Sequence, residues 1–193
     1  MANVKSVMIV GVGGQGSLLA SKLLGNVLLS RGFDVKVSEV HGMSQRGGSV
    51  VTYVRYGGKV YSPIVSEGEA DAIVSFERLE AARWLPYLKE GGRLIVNDQR
   101  IDPMPVITGA AGYPDGILEK LAATGANLLA IDALSLAEQA GSAKAVNVVL
   151  MGVLSTLLDI PEEAWQASLE ACVPAKFLEL NRRAFALGRN HTA

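Results

Sequence analysis

The sequence predicts an α/β fold: a three-layer Rossmann-like sandwich with a mostly parallel mixed sheet and a helical C-terminal segment. Three observations carry this. Short apolar runs alternate with helical patterns as far as Asp132. A glycine-rich loop, Gly11-Val12-Gly13-Gly14-Gln15-Gly16, joins the first apolar run to the first helix. From Ala133 onward every pattern is helical. Strands alternating with helices fold as βαβ units, whose crossovers cover the faces of a parallel sheet.

Lys5–Val10 reads as a short buried strand, and Ser17–Arg31 as a helix stopped by Gly32, the residue type expected just past a helix end. Asp34–Val40 is the second strand, expected to pair in parallel with the first through a right-handed crossover. Ser49–Tyr56 alternates and meets Gly57-Gly58, so Lys59-Val60-Tyr61 reads as the return strand of a hairpin, which makes the sheet mixed. Asp71–Phe76 is a further strand, Arg78–Lys89 a helix ending at Gly91-Gly92, and Arg93–Asn97 a strand of the buried kind. Asp102-Pro103-Met104-Pro105 is a break before a brief strand at Val106–Thr108. Asp115 is placed to cap a helix running through Thr124 to Gly125, and Ala126–Asp132 is the last strand. The helices Ala133–Ala140, Lys144–Leu158, Pro161–Cys172 and Ala175–Leu187 follow. Pro161 with Glu162 and Glu163 suits a first turn, where proline lacks no needed donor and acids complement the dipole. With no repeat, low-complexity tract or linker, residues 1–193 read as one compact domain.

A chain of 193 residues can bury a real core. Its 49% hydrophobic and 19% charged residues are apolar for a globular domain, and the excess reads as surface buried against other chains. No run reaches the roughly 18 apolar residues of a membrane span, so no membrane partner is expected. The net charge of −1 gives no electrostatic footprint for nucleic acid. Met1-Ala2-Asn3-Val4-Lys5 has neither the basic region nor the cleavage site of a signal peptide, so a cytoplasmic location is the expectation. Cys172, the only cysteine, excludes an intrachain disulfide, a Cys-rich zinc site and a cysteine-ligated cluster, and reads as core packing.

Gly11, Gly13 and Gly16 satisfy the G-x-G-x-x-G spacing, and Glu39 ends the next strand where a dinucleotide fold places its ribose-binding acid. The helix after the loop would offer N–H groups to a phosphate. One reading is therefore a stand-alone NAD-binding Rossmann domain. Another is that the glycines only let strand, loop and helix pack closely. A second glycine-rich loop, His41-Gly42-Met43-Ser44-Gln45-Arg46-Gly47-Gly48, weighs against the dinucleotide, because it occupies space an adenosine needs. Two such loops at adjacent strand ends are expected to meet and to face a ligand or partner. Arg46 has the fork to clamp a phosphate or carboxylate, or to make a salt bridge within the loop or between subunits. His41 has the chemistry of an acid or base, or of a structural donor. There is no Lys-bearing phosphate loop, no G-x-S-x-G elbow, no metal-spaced His/Asp/Glu set and no Gly-Asp-Gly…Asn-Asn thiamine diphosphate pattern. Asp98, Arg100 and Asp102 read as loop charges. No catalytic residue and no metal site is assigned.

The two loops, in this order and spacing, resemble the gamma domain of 2-oxoacid:ferredoxin oxidoreductases. The matching stretches are Gly11–Gly16 and Glu39 to Val50, with further likeness at Tyr61-Ser62-Pro63, Gly68-Glu69-Ala70-Asp71 and Leu85-Pro86-Tyr87-Leu88-Lys89. It continues at Asn147-Val148-Val149-Leu150, Val173-Pro174 and Leu180-Asn181-Arg182-Arg183-Ala184-Phe185. Within the family the likeness is greatest to the free-standing small subunits of the indolepyruvate branch. The resemblance implies a large alpha subunit carrying thiamine diphosphate and 4Fe-4S clusters, with no cofactor on this chain. It implies CoA-dependent oxidative decarboxylation of aryl pyruvates, electrons passing to ferredoxin through the complex, and no activity of this chain alone. The gamma subunits of pyruvate, 2-oxoisovalerate and 2-oxoglutarate enzymes are similar. Partners on this reading are the large subunit, ferredoxin, coenzyme A and the 2-oxoacid, with a homodimer as a further association. A non-catalytic homo-oligomeric binding module is the third reading. Gly11, Gly13, Gly14, Gln15, Gly16, His41, Gly42, Met43, Ser44, Gln45, Arg46, Gly47 and Gly48 are the expected ligand- or partner-facing residues.

Overall fold

The computed structural model describes residues 4–41 and 48–191, with His41 described by its backbone alone. Strand β1 (Lys5–Val12) leads through α1 (Ser17–Ser30) to β2 (Asp34–His41), followed by β3 (Ser49–Gly57), β4 (Ala70–Ser75), α2 (Arg78–Trp84) and β5 (Leu88–Asn97). Then come α3 (Met104–Ile107), α4 (Ile117–Ala123), β6 (Asn127–Ile131), α5 (Ala133–Ala140), α6 (Val146–Ser155), α7 (Glu162–Cys172) and α8 (Leu178–His191). The six-stranded sheet has the order β2-β3-β1-β4-β5-β6. β1, β4, β5 and β6 run parallel, and β3 is antiparallel to both of its neighbours.

Alternation along β1 divides the core. Val7 and Ile9 face a cluster with α1, α5, α6, α7 and α8, where Leu24, Leu28, Val149, Leu150, Trp165 and Phe185 are buried. Met8 and Val10 face the opposite cluster, with Tyr53, Ile73, Leu94 and Val96 against α2 and α4. Both faces being covered explains why these strands read as unbroken apolar runs. Each fully buried Val, Leu or Ile contributes about 1.5–3 kcal/mol relative to exposure. The α6–α8 crossing is tight. A Cβ on Gly152 would stand 2.1 Å from Phe185 O, and one on Gly188 2.0 Å from Val149 O. No helix among the described residues is long and apolar enough to cross a membrane.

The expected mixed, mostly parallel three-layer sandwich is the fold found, with five local corrections. β2 does not pair with β1, because β3 lies between them and Thr52 is opposite both Ile9 and Glu39. With both edges of β3 taken, no ladder remains for Lys59-Val60-Tyr61. That segment is not a strand, and the Val60 N–H is met by Asp34 Oδ2 at 2.8 Å instead. The helix from Arg78 stops at Trp84, ahead of a short 3-10 turn at Leu85–Tyr87, since Pro86 has no N–H with which to continue the helical ladder. Gly91 and Gly92 therefore lie inside β5, at the register shift opposite Ala70 and Ala72, where a Cβ on Gly92 would crowd Ala70 O. Val106–Thr108 is no strand, because Pro103 and Pro105 open the single turn α3 and β6 holds the place beside β5. Asp115 caps nothing with its side chain, and Gly116, at φ 63°, precedes α4.

Candidate functional site

The carboxyl ends of β1 and β4 form the switch point of the sheet. From β1 the chain passes to α1 on one face, and from β4 to α2 on the other, leaving the crevice where α/β sheets bind ligands. Here a side chain fills it. Gln15 Oε1 accepts the Val12 N–H at 2.8 Å, and Gln15 Nε2 donates to Phe76 O, just beyond β4, at 2.9 Å. A Cβ on Gly11 would lie 2.8 Å from Gln15 Oε1 and 3.0 Å from Phe76 Cβ. The first glycine of the fingerprint thus makes room for this amide. A pyrophosphate lying on the loop would need the same space, which argues against the dinucleotide reading.

Further amides brace the rim. Buried Asn97, at the end of β5, donates from Nδ2 to Phe76 O at 3.1 Å and to Gln99 Oε1 at 3.0 Å. Its Oδ1 accepts the Ala133 N–H at 3.1 Å, tying the start of α5 to the sheet. Buried Asn147 donates to Gly16 O at 3.1 Å. Gly16 sits at φ 85° without a side-chain cap for α1, and a Cβ there would be 2.6 Å from Asn147 Nδ2. Positive φ and close approach together make Gly16 a position for glycine alone. Gly14, at φ 101°, is exposed and crowded by nothing.

The two glycine loops meet where Gly13 N–H donates to Gly48 O at 2.9 Å. His41 ends β2 opposite Val50. Gly42, Met43, Ser44, Gln45, Arg46 and Gly47 lie outside the described residues, and with them the anion-clamp expectation for Arg46. Glu39 is half-buried, with the Ser17 hydroxyl 3.4 Å from its Oε1, beside a cleft of about 340 Å³ lined by Gly13, Gly14, Gly16, Ser17, Leu18, Glu39 and Val50.

Two buried carboxylates at the start of α2 were not singled out from the sequence. Glu77 and Glu80 are 1% and 4% exposed. Glu77 Oε2 accepts the Glu80 N–H at 3.0 Å, while its Oε1 accepts the Ile101 N–H at 3.2 Å and the Tyr113 hydroxyl. One oxygen therefore holds both ends of segment 101–113. Glu80 accepts from the Ser49 hydroxyl, where β3 leaves the second loop, and from Trp84 Nε1 and Arg83 Nε. Donors on both carboxylates make their burial tolerable. Burial, and then the Glu77 contact, push the Tyr113 phenol above its ordinary range, so it remains a donor. The Arg100 guanidinium stacks 4.3 Å from the Tyr113 ring centroid and pairs with Asp102, and Arg78 pairs with Asp98. Asn147 had one legible signal, a lone polar residue set in an apolar run, whereas Asn97 opens the polar stretch Asn97-Asp98-Gln99-Arg100 and had none.

Chemically the rim is equipped to hold loops in fixed positions. Among the described residues no group of His, Cys, Asp and Glu is placed to hold a metal ion. Cys172 lies away on α7, its Sγ 3.9 Å from Lys22 O of α1.

The family model described as pyruvate ferredoxin/flavodoxin oxidoreductase matches residues 6–191. Indolepyruvate oxidoreductase subunit IorB of Thermococcus kodakarensis is 46% identical over 188 residues, covering 95% of this chain and 93% of that protein. The gamma subunit of a keto/oxoacid ferredoxin oxidoreductase from Geobacter sulfurreducens superposes with a TM-score of 0.70 at 25% identity, covering 96% of each chain. A 2-oxoglutarate:ferredoxin oxidoreductase from Magnetococcus marinus shares the fold, with a TM-score of 0.75 at 20% identity over 97% of this chain and 30% of that one.

Proposed function

The chain belongs to the pyruvate ferredoxin/flavodoxin oxidoreductase family, and from that membership we propose that it is the small subunit of an indolepyruvate:ferredoxin oxidoreductase. The observation that carries this is the 46% identity to an indolepyruvate oxidoreductase subunit across 95% of the chain. Residues 1–193 act as one gamma-type unit. In the reaction, the bond between the oxoacid's carbonyl and carboxyl carbons breaks and carbon dioxide leaves. The acyl carbon forms a thioester with coenzyme A, whose thiol loses its proton, and the two electrons released reduce two ferredoxins.

The cofactors of this chemistry sit on the large subunit. A 4Fe-4S cluster takes about four thiolates, and this chain has one cysteine. Thiamine diphosphate supplies the electron sink for decarboxylation, and the sequence carries no Gly-Asp-Gly…Asn-Asn pattern for it. The small subunit's part is to hold its two rim loops toward the partner. Gln15, Asn97 and Asn147 fix the first loop, and Glu80 with Gly13 fixes where the second re-enters the sheet. Arg46 on the second loop contacts an anionic group there, a coenzyme A phosphate or a partner carboxylate, through paired hydrogen bonds.

Co-expression with the large subunit and assay across indolepyruvate, pyruvate, 2-oxoisovalerate and 2-oxoglutarate tests the reading, with indolepyruvate expected to give the highest kcat/KM. Preference for another acid would move the chain to that enzyme's gamma subunit, and failure to form a complex would overturn the assignment. Arg46→Ala is expected to lower turnover or raise the KM for coenzyme A while leaving the Tm of the free subunit unchanged. Lost Tm with normal turnover would make Arg46 a structural bridge.

A further inference from the structure

On the α5–α6 side of the glycine loop lies a second cleft of about 490 Å³. Ile101, Leu134 and Val146 form its apolar wall, and Gln99, Lys144 and the backbone at Gly14 its polar one. Its one charged side chain is the cation of Lys144, and no carboxylate lines it. Lys144 is exposed on the 3-10 turn Ala143–Ala145 and has no ion pair among the described residues. Gln99 spends its Oε1 on Asn97, and its NH₂ has no acceptor among the described residues. A cleft with a cation and an apolar wall is complementary to a carboxylate carried beside an apolar group.

The apolar surface does not end at the cleft. Ile101 leads to Met104 and Ile107, 59% and 66% exposed, on the segment whose two ends Glu77 holds. That footprint is longer than a small anion covers and fits a length of polypeptide. We propose that this cleft is the socket for an acidic, apolar-flanked segment of the large subunit. Its Asp or Glu carboxylate sits on Lys144 Nζ and the Gln99 amide, and its apolar neighbours lie against Ile101, Leu134 and Val146. This rests on the small-subunit reading above.

The test uses the co-expressed complex. A carbodiimide joins an amine to a carboxylate only where the two touch, so mass spectrometry should find Lys144 linked to an Asp or Glu of the large subunit. Lys144→Glu and Ile101→Asp should each raise the concentration at which the complex dissociates by at least about tenfold, with the Tm of the free variants unchanged. Lys120→Glu, a charge reversal on α4, should leave dissociation unaltered. A stable wild-type complex in which Lys144 forms no link and both variants dissociate normally overturns the socket and leaves the small-subunit reading standing. So does protection of Lys144 from acetylation by indole-3-acetate within that complex, which would make the occupant a small anion. Failure of the wild-type chains to associate would overturn both readings.

Discussion

Replacing Gln15 with methionine keeps the length of the side chain and removes its amide. Two contacts are lost, and they are not equivalent. The Val12 N–H loses the acceptor it has at 2.8 Å, and an orphaned donor in this half-buried turn costs toward the lower part of about 1–3 kcal/mol. Phe76 O loses Gln15 Nε2 but keeps Asn97 Nδ2 at 3.1 Å, so that loss is at the low end of about 0.5–1.5 kcal/mol. A total near 2 kcal/mol corresponds to a fall in Tm of about 4–8 °C for a chain of this size. Differential scanning calorimetry reads the fall, and hydrogen exchange at the Val12 amide should quicken with it. Gln15→Glu keeps an acceptor for Val12 but sets an anionic oxygen against Phe76 O, so it should lose more than Gln15→Met. A Gln15→Met protein within about 1 °C of wild type, with Val12 still protected, would refute the plug. So would saturable NADH binding by the wild-type chain, because the crevice would then be open.

Three further outcomes follow from the same geometry. Gly14→Ala should cost about 1–2 kcal/mol for a left-handed backbone, whereas Gly16→Ala also drives a Cβ to 2.6 Å from Asn147 Nδ2 and should lose clearly more Tm; equal losses would refute the close-approach argument. Gly152→Ala and Gly188→Ala each press a Cβ onto a backbone carbonyl and should lower the unfolding free energy read from urea titration by about 1–3 kcal/mol or more. Their double variant should be less than additive, because one separation of α6 from α8 relieves both; strict additivity would rule that out. The Ser135 hydroxyl, and then its N–H, hold the Asp132 carboxyl below its ordinary value, as the Lys36 contact and then the Val60 N–H do for Asp34. Folded values below unfolded ones give stability present above about pH 4 and lost as pH falls through the folded values, so Asp132→Asn should flatten the acid limb of a Tm–pH profile.

Much of the fold was legible because both faces of the central strands are buried, so Val7–Val10 and Arg93–Asn97 announce themselves without any pairing information. The order of the strands was not legible. That β3 enters between β1 and β2 is a non-local fact, and the crossover rule speaks only to strands that do pair. Gly91-Gly92 failed as a helix stop for a related reason, since glycines at a helix end and at a bulge look alike until Ala70 O stands opposite. At the site, Gly11 and Gly16 were legible as close-approach positions, and the chain does approach closely there. What approaches was not legible.

That gap bears on how a G-x-G-x-x-G loop is read. The spacing states that a strand, a turn and a helix come within a Cβ's distance of some other group, and it is silent about the group. In a dinucleotide fold the group is a pyrophosphate held by helix N–H groups. Here the places are taken by the chain's own amides: Gln15 under Gly11, and Asn147 against Gly16. Both are neutral, and both make hydrogen bonds across long stretches of sequence, Gln15 to Phe76 O beyond β4 and Asn147, from the start of α6, to Gly16 O. A phosphate could leave; these amides are covalently part of the fold. The discriminating position is therefore the variable residue before the third glycine. A long amide there, with a carbonyl in reach across the switch point, turns a nucleotide fingerprint into a fixed rim, and a fixed rim is what a subunit needs when the reacting groups belong to its partner.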